Sequence, residues 1–266
     1  MGGSVDLKRE RGVATVVMHR NGNNAITEGL MDELGAAFAE AGADPQVRCL
    51  VLASEYERYF CVGYDLADAG SIDRSAPDAI EQVTEKARRL QRGLSAIEAC
   101  PKPVIARING HALGGGCELT LCCDYRVMVK DGRSKIGQSE TALGIIPGAG
   151  GTQRLPRLIG KAKATALILE SLRLSALEAE AIGLVNRAVA PDQLDSTVAE
   201  LAERLARSAT LALGLAKEAI NRGIELPLEE GLELEARNFA RASLSEDAVI
   251  GIVAFLSKQN PEFKGG

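Results

Sequence analysis

The stretch Asn109-Gly-His-Ala-Leu-Gly-Gly-Gly-Cys-Glu118 restricts the fold of this 266-residue chain more than any other. It follows a β-like apolar run, Pro103-Val-Ile-Ala-Arg-Ile108, and leads into Leu119-Thr-Leu-Cys-Cys123, which reads as helix. Consecutive glycines at a strand-to-helix junction admit backbone conformations closed to other residues, and they leave no side chain between the main-chain N–H groups and a ligand. The first turn of a helix has unpaired N–H groups and a partial positive charge, so the junction suits an oxygen anion. Glu118 lies three residues beyond Gly115, and helical spacing puts its carboxylate on the side of the Gly115 N–H. A donor for a developing oxyanion and a candidate acid or base thus share one helical turn. A tight packing turn followed by a surface glutamate explains the same letters, so the rest of the chain has to decide.

Apolar residues make up 46% of the sequence and charged residues 25%, which fits a globular chain with a sizeable core. A net charge of −5 argues against non-specific nucleic-acid binding and against a membrane-surface role. Lys86, Arg88, Arg89 and Arg92 form a local basic cluster that reads as a solvated helix face. Five of the six cysteines lie in or beside apolar runs, no CxxC occurs, and His19 and His111 are the only histidines. A disulfide framework and a Cys/His zinc site are therefore not expected, and the compartment reads as reduced and cytoplasmic. No apolar run is long enough for a membrane span, and no signal-peptide pattern is present.

Taken in order, residues 5–18 read as a strand or hairpin, and Arg20-Asn-Gly-Asn-Asn24 as a turn. Thr27 caps a helix whose apolar stripe is Leu30, Leu34, Phe38 and Ala41, stopped by Asp44-Pro45. Arg48-Cys-Leu-Val-Leu-Ala53 fits a buried strand. Phe60-Cys-Val-Gly-Tyr-Asp-Leu66 puts another glycine at the exit of an apolar run, and residues 67–78 read as a mobile loop. A long helix over 79–99 is expected to turn Ile80, Val83, Ala87, Leu90, Leu94 and Ile97 inward. Tyr125–Val129 is a strand and Lys130–Ser134 a turn. After Leu155 helical periodicity takes over, with helices expected at about 194–206, 210–222, 229–242 and 245–257. The class is α/β with an all-helical last quarter, divided into a core over 1–193 and a helical region over 194–266.

Together, Gly114-Gly-Gly-Cys-Glu-Leu119, the loop Cys61-Val-Gly-Tyr-Asp65 and Gly144-Ile-Ile-Pro-Gly-Ala-Gly-Gly-Thr-Gln-Arg154 resemble the crotonase family, the enoyl-CoA hydratase/isomerase superfamily. The ending Asn260-Pro-Glu-Phe-Lys-Gly265 is similar to that family's C-terminus. The resemblance implies a spiral of repeated ββα units followed by a helical oligomerisation region, assembled as a homotrimer or hexamer. It implies an acyl-CoA thioester as substrate, with CoA as its handle and no metal or other cofactor. By motif position, the Tyr64 and Gly115 N–H groups form the oxyanion hole. Glu118 and Glu140 are the catalytic pair, and the Gly148 N–H orients the water. Gly63, Asp65, Leu66 and Gly114 would line the CoA and acyl site, with Phe263 and Lys264 at the adenine end.

Each residue has a plainer rival reading. Glu140 also fits an ordinary carboxylate in the first turn of a helix. Asp65 reads better as a turn-stabilising carboxylate, and His111 as structural. Pro147-Gly-Ala-Gly-Gly151 lacks the Gly-Lys-Ser/Thr of a phosphate loop. Val62-Gly-Tyr-Asp65 departs from the family's Ala/Ser-Gly-Ala-Asp, so Tyr64 adds bulk and a hydroxyl beside the acyl group. Ser139 stands where the family has Pro before the second glutamate. Both glutamates favour hydration of 2-enoyl-CoA, or the reverse dehydration. An enoyl-CoA isomerase and a non-catalytic oligomeric binding module are the alternatives.

Overall fold

Strand pairs followed by helices repeat four times along the first part of the chain. The computed structural model describes residues 4–65, 73 and 75–266. The first unit is β1 (Val5–Glu10), β2 (Val13–Met18) and α1 (Glu28–Ala43), and the second is β3 (Cys49–Ser54), β4 (Tyr59–Cys61) and α2 (Ala79–Glu98). The third is β5 (Val104–Ile108), β6 (His111–Leu113) and α3 (Gly115–Leu121). The fourth is β7 (Tyr125–Val129), β8 (Ile136–Gly137), a 3₁₀ turn over Glu140–Leu143 and α4 (Gly151–Ile159). Then follow α5 (Lys161–Leu169), α6 (Ala176–Ala181), β9 (Arg187–Val189), α7 (Leu194–Ala206), α8 (Thr210–Gly223), α9 (Leu228–Ser243) and α10 (Glu246–Leu256).

From the second unit onward, the strands of each pair go to different sheets. The large sheet has the order β1-β2-β3-β5-β7-β9, antiparallel only between β1 and β2. The small sheet is β4-β6-β8, parallel throughout. This is the expected ββα spiral. Alternation along the large sheet divides its side chains between two cores. Leu50, Leu52, Val104, Ala106 and Met128 join the main core with α1, while Cys49, Val51, Ile105, Val127 and Val129 pack on α7. Both faces being covered explains why these strands read as continuous apolar runs. α7, the first helix of the C-terminal region, is therefore a layer of the sheet.

α1 forms as its sequence requires. The Thr27 hydroxyl accepts the Leu30 N–H at 3.2 Å, and Leu30, Leu34, Phe38 and Ala41 are all buried. α2 differs from expectation. Leu94 and Ile97 are buried, whereas Ile80 and Val83 are 80% and 50% exposed. The cause is the offset between two helices running the same way. Arg89 already pairs with Glu28 at the start of α1, Gly93 faces Met31, and Cys100 lies beside Gly42. Residues 80 and 83 therefore extend beyond the end of α1. The basic cluster is a solvated face as expected, with Arg88 and Arg92 paired to Glu85. Most of the expected loop over 67–78 lies outside the described residues.

The six cysteines are free and buried. Among the described residues, no helix is long and apolar enough to cross a membrane. The C-terminus is held to the body at two points. Arg48 donates to the Ser208 and Phe263 carbonyls and to the Thr210 hydroxyl, while the Asp247 carboxylate accepts the Lys264 and Gly265 N–H groups.

Candidate active site

The small sheet positions the candidate site. In a parallel sheet all strands exit at one edge, and ligands bind outside those carboxyl ends. Cys61 pairs in register with Ala112, Ala112 with Ile136, and Leu113 with Gly137. The segments released together at this edge are Val62–Asp65, Gly114–Glu118 and Gln138–Glu140. These carry most of the residues singled out from the sequence.

The loop after β4 is tied down by the segment before α1. The Ile26 N–H donates to the Gly63 carbonyl at 2.7 Å, and the Asp65 N–H donates to the Ile26 carbonyl at 2.9 Å. Gly63 has φ +94°, and a Cβ there would stand 3.1 Å from the Gly115 nitrogen. Only glycine combines that backbone with so close an approach. A Cβ on Gly115 would lie 3.5 Å from the Tyr64 nitrogen, so the two expected oxyanion donors are neighbours across the β4 and β6 exits. Tyr64 itself packs partly against the main core.

Glu118 is 2% exposed, which removes the surface-glutamate reading. Its Oε1 accepts the Ala149 N–H at 2.9 Å and the Gly151 N–H at 2.7 Å. Burial raises its pKa, opposed by those two donors and by the Arg154 guanidinium. Glu140 opens the 3₁₀ turn and is half-buried. Its pKa is pushed up to about 7, by burial first and by the charge of Glu118 second. Gly114, at φ +54°, makes room for it, since a Cβ there would meet Glu140 Oε1 at 2.9 Å. The fully buried Gln138 completes the group. With its amide nitrogen turned toward Glu140, it donates to both carboxylate oxygens at 3.1 Å.

The remaining expected residues divide. Gly148 is exposed on the same loop as Ala149, and its carbonyl accepts from Gln91 Nε2 at 2.9 Å. Asp65 pairs with Arg20 at 3.0 Å, which agrees with a turn-stabilising carboxylate. Leu66 lies outside the described residues. Phe263 and Lys264 lie against α10, with Lys264 paired to Glu246 and the Phe263 ring beside Gly251, and are not brought together with the two glutamates. The His111 Nδ1 accepts the Lys135 N–H at 3.1 Å, a main-chain partner that agrees with a structural role. Sequence reading also missed Gln138, Ala149 and Gly151. Gln138 follows β8 and Glu140 opens the 3₁₀ turn, so no strand or helix period links the two in the sequence. The N–H donors had no readable signal either.

A glutamate pair beside main-chain donors, at the edge of a ββα spiral, is an arrangement suited to acid–base chemistry. A family profile described as enoyl-CoA hydratase/isomerase matches residues 8–266. The chain is 38% identical over 268 residues to the Bacillus subtilis protein YngF, covering 100% of both. It is 36% identical over 261 residues to a crotonyl-CoA hydratase of Syntrophomonas wolfei, covering 98% of this chain and 97% of that one. The crystal structure of an enoyl-CoA hydratase from Geobacillus kaustophilus superposes with a TM-score of 0.92 at 33% identity, covering 100% of this chain and 98% of that one. The chain belongs to the enoyl-CoA hydratase/isomerase family.

Proposed function

We propose that the chain adds water across the 2,3 double bond of 2-enoyl-CoA thioesters, or catalyses the reverse dehydration, as a hydratase-type lyase. The observation that carries this reading is the asymmetry of the two carboxylates. Glu118 has one oxygen held by two N–H groups, and those donors, with the Arg154 cation, oppose the upward push of burial on its pKa. Glu140 is pushed up to about 7, so its protonated form is well populated at neutral pH. A carboxylate held by N–H donors beside a cation and a second one raised to near neutrality suit a base and an acid.

Glu118 takes a proton from water as the water oxygen attacks C3. The double-bond electrons move onto the thioester, and the Tyr64 and Gly115 N–H groups receive the resulting enolate oxygen. Glu140 then delivers its proton to C2. The Gly148 N–H orients the water, and Gly63 and Gly114 border the acyl thioester. Every step uses side chains, main-chain N–H groups and water, with CoA only as the substrate's handle. The test is a panel of 2-enoyl-CoA thioesters followed by loss of the conjugated thioester absorbance. Turnover on at least one is expected. A double-bond shift on a 3-enoyl-CoA without any hydration would replace this reading with the isomerase, and no turnover at all would favour a binding module.

The same reading assigns a homotrimer or a hexamer built from trimers. It is supported by the apolar faces of the last helices, where Phe239, Phe255 and Leu244 are 72%, 82% and 89% exposed. Faces this apolar belong against another subunit. Analytical ultracentrifugation at micromolar protein is expected to give a multiple of three subunits, and a monomeric mass would overturn the assignment. The buried free cysteines agree with a reducing, cytoplasmic location.

A further inference from the structure

The grip on Glu118 is held in place from behind. Ala149 and Gly151, whose N–H groups bind the carboxylate, flank Gly150, which has φ +117°. Arg154 sits one turn further on. Its NH1 donates back to the Ala149 carbonyl at 3.1 Å. Its Nε and NH2 both reach Glu98 Oε2 on α2, at 3.0 and 2.9 Å, and NH2 also reaches the Ser95 hydroxyl at 3.1 Å. A Cβ at residue 150 would stand 2.1 Å from NH1, so glycine at this position leaves the guanidinium its place. α2 thus supports the turn through a planar fork that lysine cannot reproduce.

We infer that Arg154, anchored by Glu98 and Ser95, is a positioning residue that fixes the Ala149–Gly151 turn on Glu118 and keeps a cation beside that carboxylate. The inference rests on Glu118 being the base of the proposed reaction. The charged and titratable groups facing Glu118 are Arg154 from α4, Glu140 from the 3₁₀ turn, Cys117 from its own helix and Cys122 at that helix's end. Arg154 is the cation among them, and it lowers the Glu118 pKa against the effect of burial. Removing it raises that pKa, so the acid limb of kcat/KM, which requires ionised Glu118, moves to higher pH.

The outer side of Arg154 and Glu98 lines a solvent-connected cleft of about 1100 Å³, closed on the other side by α8. A truncated Arg154 therefore leaves a void that a small cation can enter. The experiment compares Arg154→Ala, Arg154→Lys and Glu98→Gln in the assembled protein, with thermal unfolding as the folding control. For Arg154→Ala, kcat is expected to fall by about 10- to 100-fold with KM changed less than about threefold. Its acid limb shifts upward, and guanidinium at non-denaturing concentration, but not equal sodium chloride, restores part of kcat. Arg154→Lys loses rate with little shift of the limb, because it keeps charge without the fork. Unchanged kcat, or a loss equal at every pH that guanidinium does not relieve, would overturn the inference. If Arg154→Ala does not fold, Arg154→Lys and Glu98→Gln decide the matter, and normal kcat in both sinks it. A wild-type enzyme that turns over independently of Glu118 would instead remove the proposed base, and this inference with it.

Discussion

Glu118→Gln and Glu140→Gln are each expected to lower the hydration rate by roughly 10²- to 10⁴-fold, the usual contribution of a positioned acid or base, while acyl-CoA still binds. Glutamine at 118 keeps a carbonyl oxygen for the Ala149 and Gly151 N–H groups, so the loop stays closed and the loss falls on proton transfer. The pH dependence separates the two roles. Glu140 must hold a proton to protonate C2, so wild-type activity declines as pH rises through about 7. Glu140→Gln removes that decline. Glu118→Gln takes away the negative charge that helps raise the Glu140 pKa, so Glu140 titrates at lower pH in that variant. With the two roles exchanged, wild-type activity would rise rather than decline as pH passes through about 7. Near-normal turnover in either variant would show that the two-carboxylate assignment is wrong. Isotope exchange at C2 of a bound acyl-CoA, lost on replacing Glu140, checks the acid role separately.

Long elements were legible because their periodicity extends over several turns. Thr27 with Leu30, Leu34 and Phe38 defines a capped amphipathic helix, and the helices from 194 onward fall within one or two residues of expectation. The central strands β3, β5 and β7 of the large sheet were legible because both faces are buried, which gives unbroken apolar runs. The small sheet was not. Its strands are three, three and two residues long, too short for any period, and parallel pairing between such fragments is set entirely by the spiral around them. Yet that sheet is what gathers the site. The glycines at 63, 114 and 115 were readable as backbone that a ligand approaches, while their nearness to one another was implied only by the family resemblance. Glu118 and Glu140 were recognisable through family motifs, while the asymmetry between them depends on N–H donors at Ala149 and Gly151 that no side chain encodes. Ile80 and Val83 went the other way. A correct helical period predicts which face points inward, but not how far along the helix a neighbour is present.

Gly116→Ala is expected to disable the protein more severely than any other single added methyl, and the reason is geometric. Gly116 is the second residue of α3, and a Cβ there would lie 2.0 Å from the Cys61 carbonyl oxygen and 2.6 Å from its carbon. Both obstacles are backbone of β4, held in the small sheet by its pairing with β6, so no rotamer change relieves the clash. The strand exit and the helix start must separate. That separation pulls the Val62–Asp65 loop, with the Tyr64 N–H, away from Gly115. Overpacking of a fixed interior usually costs about 1–3 kcal/mol and occasionally more. At roughly 2–4 °C per kcal/mol, the midpoint of thermal unfolding is expected to fall by about 2–12 °C. Molecules that remain folded have a widened oxyanion site, so kcat per folded subunit falls as well, by up to about 10²- to 10³-fold if one donor is lost. Gly35→Ala in α1 is the control. A Cβ there meets nothing within 4 Å, and alanine favours the helix, so stability is expected to hold or rise by up to about 1 kcal/mol with activity intact. A Gly116→Ala protein that melts with the wild type and turns over at its rate would mean that the β4 exit and α3 do not share the rigid contact from which the oxyanion site is built.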